Sequence, residues 1–181
     1  MTEQKPAVLF VCVRNGGKSQ MAAGLMRHAA GDDVEVHSAG TDPGPRLNME
    51  SVTSLREVGV DIGEEHPKPI DPDLLRRVDL VVTLGREATV VVPDGVELRN
   101  WDTDEPSERG IDGAERMRLI RDDIHRRVDS PRRTAREGHW HSPKLLALRR
   151  RSQYGADELL SGRYVEEPAR VAHPSRRDRQ E

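Results

Sequence analysis

Residues 8–23 read VLFVCVRNGGKSQMAA, and this stretch decides how the rest of the chain is arranged. Four β-forming residues (Val8, Leu9, Phe10, Val11) lead into Cys12, the one cysteine of the chain. A loop holding Asn15, Gly16 and Gly17 follows, and Ser19 opens a helix-forming segment. Strand, glycine-containing loop and helix together make an anion-binding unit. The loop residues tolerate the backbone angles that turn successive amides toward one point, and the helix aims its positive end at the same place. A tetrahedral oxyanion suits such a site. Cys12, at the strand end, is expected to be held there as a thiolate by the amides and by Lys18, with Ser19 donating its hydroxyl to the sulfur. The candidate oxyanion-binding residues are therefore Val13, Arg14, Asn15, Gly16, Gly17 and Lys18.

Two other readings compete for the same residues. A lone cysteine ending a buried strand is commonly inert packing, although here its neighbours argue for chemistry. Cys12 to Ser19 also lies one residue away from the nucleotide-binding pattern G-x-x-x-x-G-K-[ST], with cysteine in place of the first glycine. A nucleotide hydrolase would want an apolar strand ending in a metal-binding aspartate, whereas Leu80 to Leu84 ends in Gly85.

The segment resembles the active-site loop of the low-molecular-weight protein tyrosine phosphatase fold, C-x5-R-S, shared by tyrosine phosphatases and one class of arsenate reductases. Cys12, Asn15 and Ser19 fall on the nucleophile, the loop-organising asparagine and the thiolate-supporting serine of that family. Its arginine is replaced by Lys18. With lysine there, VCV-x-NGGKSQMA is most similar to the arsenate-mycothiol transferases, arsenate reductases with a single cysteine. The resemblance implies an α/β fold, a small doubly wound sandwich with a roughly four-stranded parallel sheet flanked by helices. Ser38 to Thr41 (SAGT) and Leu80 to Leu84 resemble further stretches of the family.

The resemblance also assigns the acidic segment Trp101 to Pro106. An aspartate just before proline acts in the family as general acid; here Glu105 holds that position and Asp104 precedes it. Either carboxylate could serve. The candidate catalytic set is Cys12, Lys18, Ser19, Glu105 and Asp104. His66 to Pro69 resembles a lysine-containing element of the reductase branch that would border the substrate mouth, with a rigid linker as the alternative.

Elsewhere, periodicity predicts the scaffold. Met21, Ala22, Leu25, Met26 and Ala29 share a helical face stopped by Gly31, and Val34, Val36 and Ser38 alternate as a strand. Asn48 caps a helix with apolar positions Met49, Val52, Leu55 and Val58; Asp71 and Pro72 begin a short one. Val90 to Val92 and Val96 to Trp101 are apolar enough for a final strand, and Met117, Ile120, Ile124 and Val128 stripe a last helix.

Composition bounds the partners. The 181 residues suit one α/β domain, 1–130, with a basic C-terminal extension, 131–181. Residues 1–130 hold 17 Lys and Arg against 25 Asp and Glu, net −8; the remainder hold 12 against 7, net +5. One cysteine excludes an intrachain disulfide and agrees with a reducing compartment. With neither a signal peptide nor a membrane-length apolar run, a cytoplasmic location is expected, with no membrane partner. The extension offers Leu145, Leu146 and Leu148 beside an arginine run, yet a solvated tail is favoured over nucleic-acid binding. His139 and His141 lack a third ligand, so no metal is expected.

The lysine bears on the chemistry. Arginine's planar fork grips two oxygens of a transferring phosphoryl group, whereas lysine offers a point charge. Arg14 would compensate if its side chain turned inward. Arsenate exchanges oxygen ligands readily, so delivery of a thiol matters more than clamping. Reduction to As(III) takes two electrons, and one cysteine cannot supply them, so the thiol must be external. The resemblance names mycothiol as co-substrate and a mycoredoxin as the partner that releases arsenite, with no tightly bound cofactor. A phosphatase, which hydrolyses without added thiol, and a non-catalytic oxyanion-binding protein are the alternatives.

Overall fold

The computed structural model describes residues 5–129, and the expectations for the 131–181 extension lie outside the described residues. Four strands, β1 (Ala7–Cys12), β2 (Glu35–Gly40), β3 (Leu80–Leu84) and β4 (Glu97–Trp101), form an all-parallel sheet in the order β2-β1-β3-β4. Four helices flank it: α1 (Lys18–Ala30), α2 (Met49–Arg56), α3 (Pro72–Arg77) and α4 (Gly113–Asp129). The chain runs from β1 outward to β2, then returns to the other side of β1, so the direction of winding reverses between β1 and β3. In open parallel sheets, ligands bind at such a reversal, beyond the carboxyl ends of the strands. Cys12 is the last residue of β1.

Alternation along the strands builds two cores. Val8, Phe10, Cys12, Leu80, Val82 and Leu84 face α1, α2 and α4, where they meet Met21, Leu25, Val52, Leu55, Met117, Ile120 and Ile124. Ala7, Leu9, Val11 and Val81 point to the opposite face and pack with Val78, Leu74 and Leu75 around α3. All six residues of β1 are buried, as a strand covered on both faces requires. Phe10 and Trp101 hold the site end of the first core together, with ring centroids 5.5 Å apart.

The predicted helix boundaries are largely met, with local exceptions. α1 begins at Lys18, one residue before Ser19, and ends at Gly31, whose φ of +54° and N–H bond to the Arg27 carbonyl close the last turn. Ala29 and Met49 face outward, Met49 at 62 % exposure, because each lies where its helix turns away from the core. Asn48 and Asp71 cap α2 and α3 through their side chains.

Val90 to Val92 are not part of a strand. A parallel neighbour must start at the same end of the sheet as β3, so residues 85–96 travel back across the second face before β4 begins. Val90 packs into that face and Val91 is left 88 % exposed. Among the described residues, no helix is long and apolar enough to cross a membrane.

Candidate active site

The loop after β1 is shaped by hydrogen bonds to its outer side. The carbonyls of Cys12, Val13, Arg14 and Gly16 accept from the amides of Thr41, Asp42, Gly44 and Asn48, at 2.8–3.1 Å. These bonds hold four loop carbonyls outward, the arrangement that lets the amides of an anion-binding backbone nest face the other way. The close approach of the outer segment demands a glycine at Gly40: a Cβ there would lie 2.6 Å from the Val13 carbonyl oxygen. Asn15 supplies the one left-handed non-glycine residue among those described, φ +49°, and is wholly buried.

Asn15 ties the loop to its thiol through a directed chain. Its Oδ1 accepts from the Lys68 amide at 2.9 Å and from Gln20 Nε2 at 3.3 Å, and its Nδ2 donates to Ser19 Oγ at 2.8 Å. Ser19 Oγ, having accepted that bond, is left to donate its proton to Cys12 Sγ, 3.0 Å away. The Asn15 amide donates to the same sulfur at 3.2 Å. Unlike α2 and α3, α1 has no side-chain cap: Gly17 stands at its N-terminus, so its first amides remain available to a ligand.

Cys12 is 8 % exposed, and its sulfur borders a cavity of about 490 Å³. The walls come from the carboxyl ends of β1, β3 and β4 and from one face of α4: Val13, Gly17 and Lys18, then Gly85 and Arg86, then Glu105 and Glu108, then Arg116 and Met117. The thiol is thus neither sealed under packed side chains nor open on the surface.

The predicted catalytic residues separate here. Lys18 and Glu105 meet in an ion pair, both side chains about one-quarter exposed or less. Burial holds the Lys18 ammonium below its ordinary pKa, opposed by the attraction of Cys12 and assisted by repulsion from Arg116. Asp104, in contrast, is engaged by Arg109 at 2.7 and 2.9 Å and does not line the cavity. Arg109 keeps the Asp104 carboxyl below the usual carboxylate range. Of the two candidate carboxylates, Asp104 is thus taken up by Arg109, five residues on, and Glu105 is the one that lines the cavity.

Three further expectations change. Arg14 borders the cavity, but its guanidinium is paired with Asp42 at the exposed surface, so it supplies no inward charge. Asn15 and Gly16 are buried in the loop wall and do not line the cavity. Asn15 organises the loop, and Gly16 gives its carbonyl to the Asn48 amide. His66 to Pro69 does not border the mouth either. It braces the loop from behind: the His66 carbonyl accepts from Gln20, the Lys68 amide reaches Asn15, and the Lys68 carbonyl accepts from Gly40. The sequence reading passed over Gln20 and Arg116. A polar residue next to the buried run Met21 to Leu25 was the available signal for Gln20.

Comparison with known proteins agrees with this geometry. Residues 7–130 match the model of the family described as low molecular weight phosphotyrosine protein phosphatase, and the chain belongs to that family. Within it, the chain falls on the arsenate reductase branch of the fold. It is 35 % identical to an arsenate reductase of Bacillus licheniformis over 132 residues, 68 % of this chain and 93 % of that one. An arsenate reductase of Halalkalibacterium halodurans is also 35 % identical, over the same shares. Among solved structures, a thioredoxin-dependent arsenate reductase of Corynebacterium glutamicum is 33 % identical with a TM-score of 0.60; the match covers 71 % of this chain and 60 % of that longer one. An arsenate reductase in its phosphate-binding state has the same TM-score at 27 % identity, covering 68 % and 94 %.

Proposed function

We propose that the protein is an arsenate reductase in which Cys12 forms a transient arsenate adduct that passes to an external low-molecular-weight thiol, mycothiol. The observation that carries this reading is the sulfur at the cavity wall, bonded to Ser19 Oγ and the Asn15 amide, with a lysine where the family pattern has arginine. The arsenate reductases of B. licheniformis and H. halodurans support the substrate.

The Cys12 sulfur attacks As(V), and an arsenate oxygen leaves as water, the proton passing from the Lys18 ammonium to Glu105 within their ion pair and from Glu105 to the departing oxygen. The mycothiol thiolate then attacks the arsenic and displaces Cys12, which is returned unchanged. Arsenic is still As(V) at this point. A mycoredoxin thiol attacks the mycothiol sulfur; the S–As electron pair stays on arsenic, giving arsenite and a mixed disulfide. Cys12 is the chain's one cysteine, so both electrons come from outside. Lys18 offers a point charge rather than a fork, which disfavours the phosphatase alternative.

The test is turnover of arsenate by the full chain in three mixtures: mycothiol with mycoredoxin, thioredoxin with its reductase, and an aryl phosphate without thiol. Turnover in the first and loss of at least ~10³-fold in Cys12→Ser are expected. Equal or better turnover with thioredoxin would overturn the mycothiol assignment, and aryl phosphate hydrolysis without arsenate turnover would overturn the reductase assignment.

A further inference from the structure

Arg116 lies on α4 and lines the same cavity as Cys12 and Lys18. Among the described residues its guanidinium has no hydrogen bond or ion pair, and its Nε is buried with no acceptor. The other arginines of α4 are engaged: Arg118 by Glu57, Arg121 by Glu57 and Asp122, and Arg126 and Arg127 by Asp123. Lys18, the cation supplied by the loop, is already held by Glu105. A buried donor without an acceptor, beside a second cation that repels it, is an arrangement that an anionic ligand would relieve.

The shape of the group matters as much as its charge. A guanidinium presents parallel N–H groups that match two oxygens of a tetrahedral anion; an ammonium does not. With lysine at position 18, the loop itself does not present that fork. We infer that Arg116 supplies it from α4, gripping two outer oxygens of the oxyanion seated on the Cys12 loop. Lys18 is thereby left to hold and orient Glu105. This inference rests on the reading of the cavity as an oxyanion site, and it assigns oxyanion recognition to a residue about a hundred positions from the loop.

The experiment measures protection of Cys12 from alkylation by iodoacetamide as inorganic phosphate or arsenate is titrated in, so that it reads binding without turnover. In the unaltered protein, either anion should slow alkylation. In Arg116→Ala the protecting concentration should rise about tenfold or more, and Arg116→Lys should recover only a small part, since the fork and not the charge alone is missing. Each protecting concentration is read against that variant's own alkylation rate without anion, since removing a cation beside the thiol changes its reactivity. Arg118→Ala, on the same helix but paired outward with Glu57, should leave the protecting concentration unchanged. Unchanged protection in Arg116→Ala, or full recovery in Arg116→Lys, would overturn the inference while leaving the oxyanion site intact. Failure of either anion to protect the unaltered protein would overturn both.

Discussion

Two loops meet at the cavity, and they are held by different physics. The loop after β1 is fixed by neutral, buried hydrogen bonds: four outward carbonyls and the chain from Lys68 and Gln20 through Asn15 and Ser19 to Cys12. The loop after β4 is tied down by charged groups near the surface: Arg86 with Asp102, Arg109 with Asp104, and Arg127 donating to the Asp102 carbonyl. Buried bonds in a low-dielectric wall resist solvent and salt, whereas exposed pairs are weak and screened. On the proposed mechanism, the nucleophile therefore sits on the loop held by buried bonds and the proton donor on the loop held by exposed ones. Such a division suits a site that must keep its anion cradle formed while the acid approaches and withdraws.

The comparison breaks most severely at Asn15. Asn15→Ala removes all three side-chain hydrogen bonds and leaves a non-glycine residue at φ +49°. A loss of about 2–4 kcal/mol in unfolding free energy is expected, from the unsatisfied Lys68 amide and Ser19 hydroxyl together with the backbone strain. Turnover should fall about 10²-fold or more as the thiol loses its orientation. Asn15→Gly should recover the backbone part of the stability and little of the turnover. Chemical denaturation paired with the arsenate assay separates the two; equal recovery of both would show that backbone angle alone shapes the loop.

The second loop is sharpened by its two carboxylates. Glu105→Gln keeps the size of the side chain and removes the proton donor that meets Lys18, and kcat should fall about 10²-fold with KM little changed. Asp104→Asn loses a surface pair with Arg109 and should change kcat by less than about threefold. A reversed ranking in steady-state kinetics would move the acid to Asp104 and require the loop to rearrange on binding.

The contrast between the loops also explains which parts of the site were legible in the sequence. The strand, loop and helix around Cys12 are local: glycines, asparagine and β-formers in sixteen consecutive residues leave the chain few other conformations. The choice between Asp104 and Glu105 is not local in the same way, because Arg109 decides it from a 3₁₀ turn whose position the sequence does not advertise. Gln20 reads as an ordinary helix residue until the fold brings the His66 carbonyl and Asn15 to it. Arg116 reads as one of several arginines on a polar helix until the acidic partners of the others are counted. Val90 to Val92 misled for a topological reason: β-forming residues in the return path of a parallel crossover have no strand to pair with.

The mildest way to part the two regions is acid. The carboxyl of Asp104 is held below its ordinary range by Arg109, and that of Glu57, through hydrogen bonds from Arg118 and Arg121 that join α2 to α4, is pulled down from 4.5 to about 2. A carboxylate with a depressed folded pKa stabilises the native state fully above its unfolded pKa, and that contribution is lost as pH falls through the folded value. Between about pH 4.5 and 2 the α2–α4 clamp should therefore loosen, and the loop after β4 should loosen as pH falls below the ordinary range of an aspartate, while the bonds around Asn15 involve no carboxylate. Amide exchange, expressed as protection relative to the unfolded chain, should fall first at residues 104–110 and only with global unfolding at residues 15–18. Glu57→Gln should flatten the acid limb of stability over that window, and high salt at neutral pH should loosen the loop after β4 in the same order. Simultaneous loss of protection in both loops would mean that they belong to one cooperative unit and that the division between a rigid cradle and a yielding acid loop does not exist in solution.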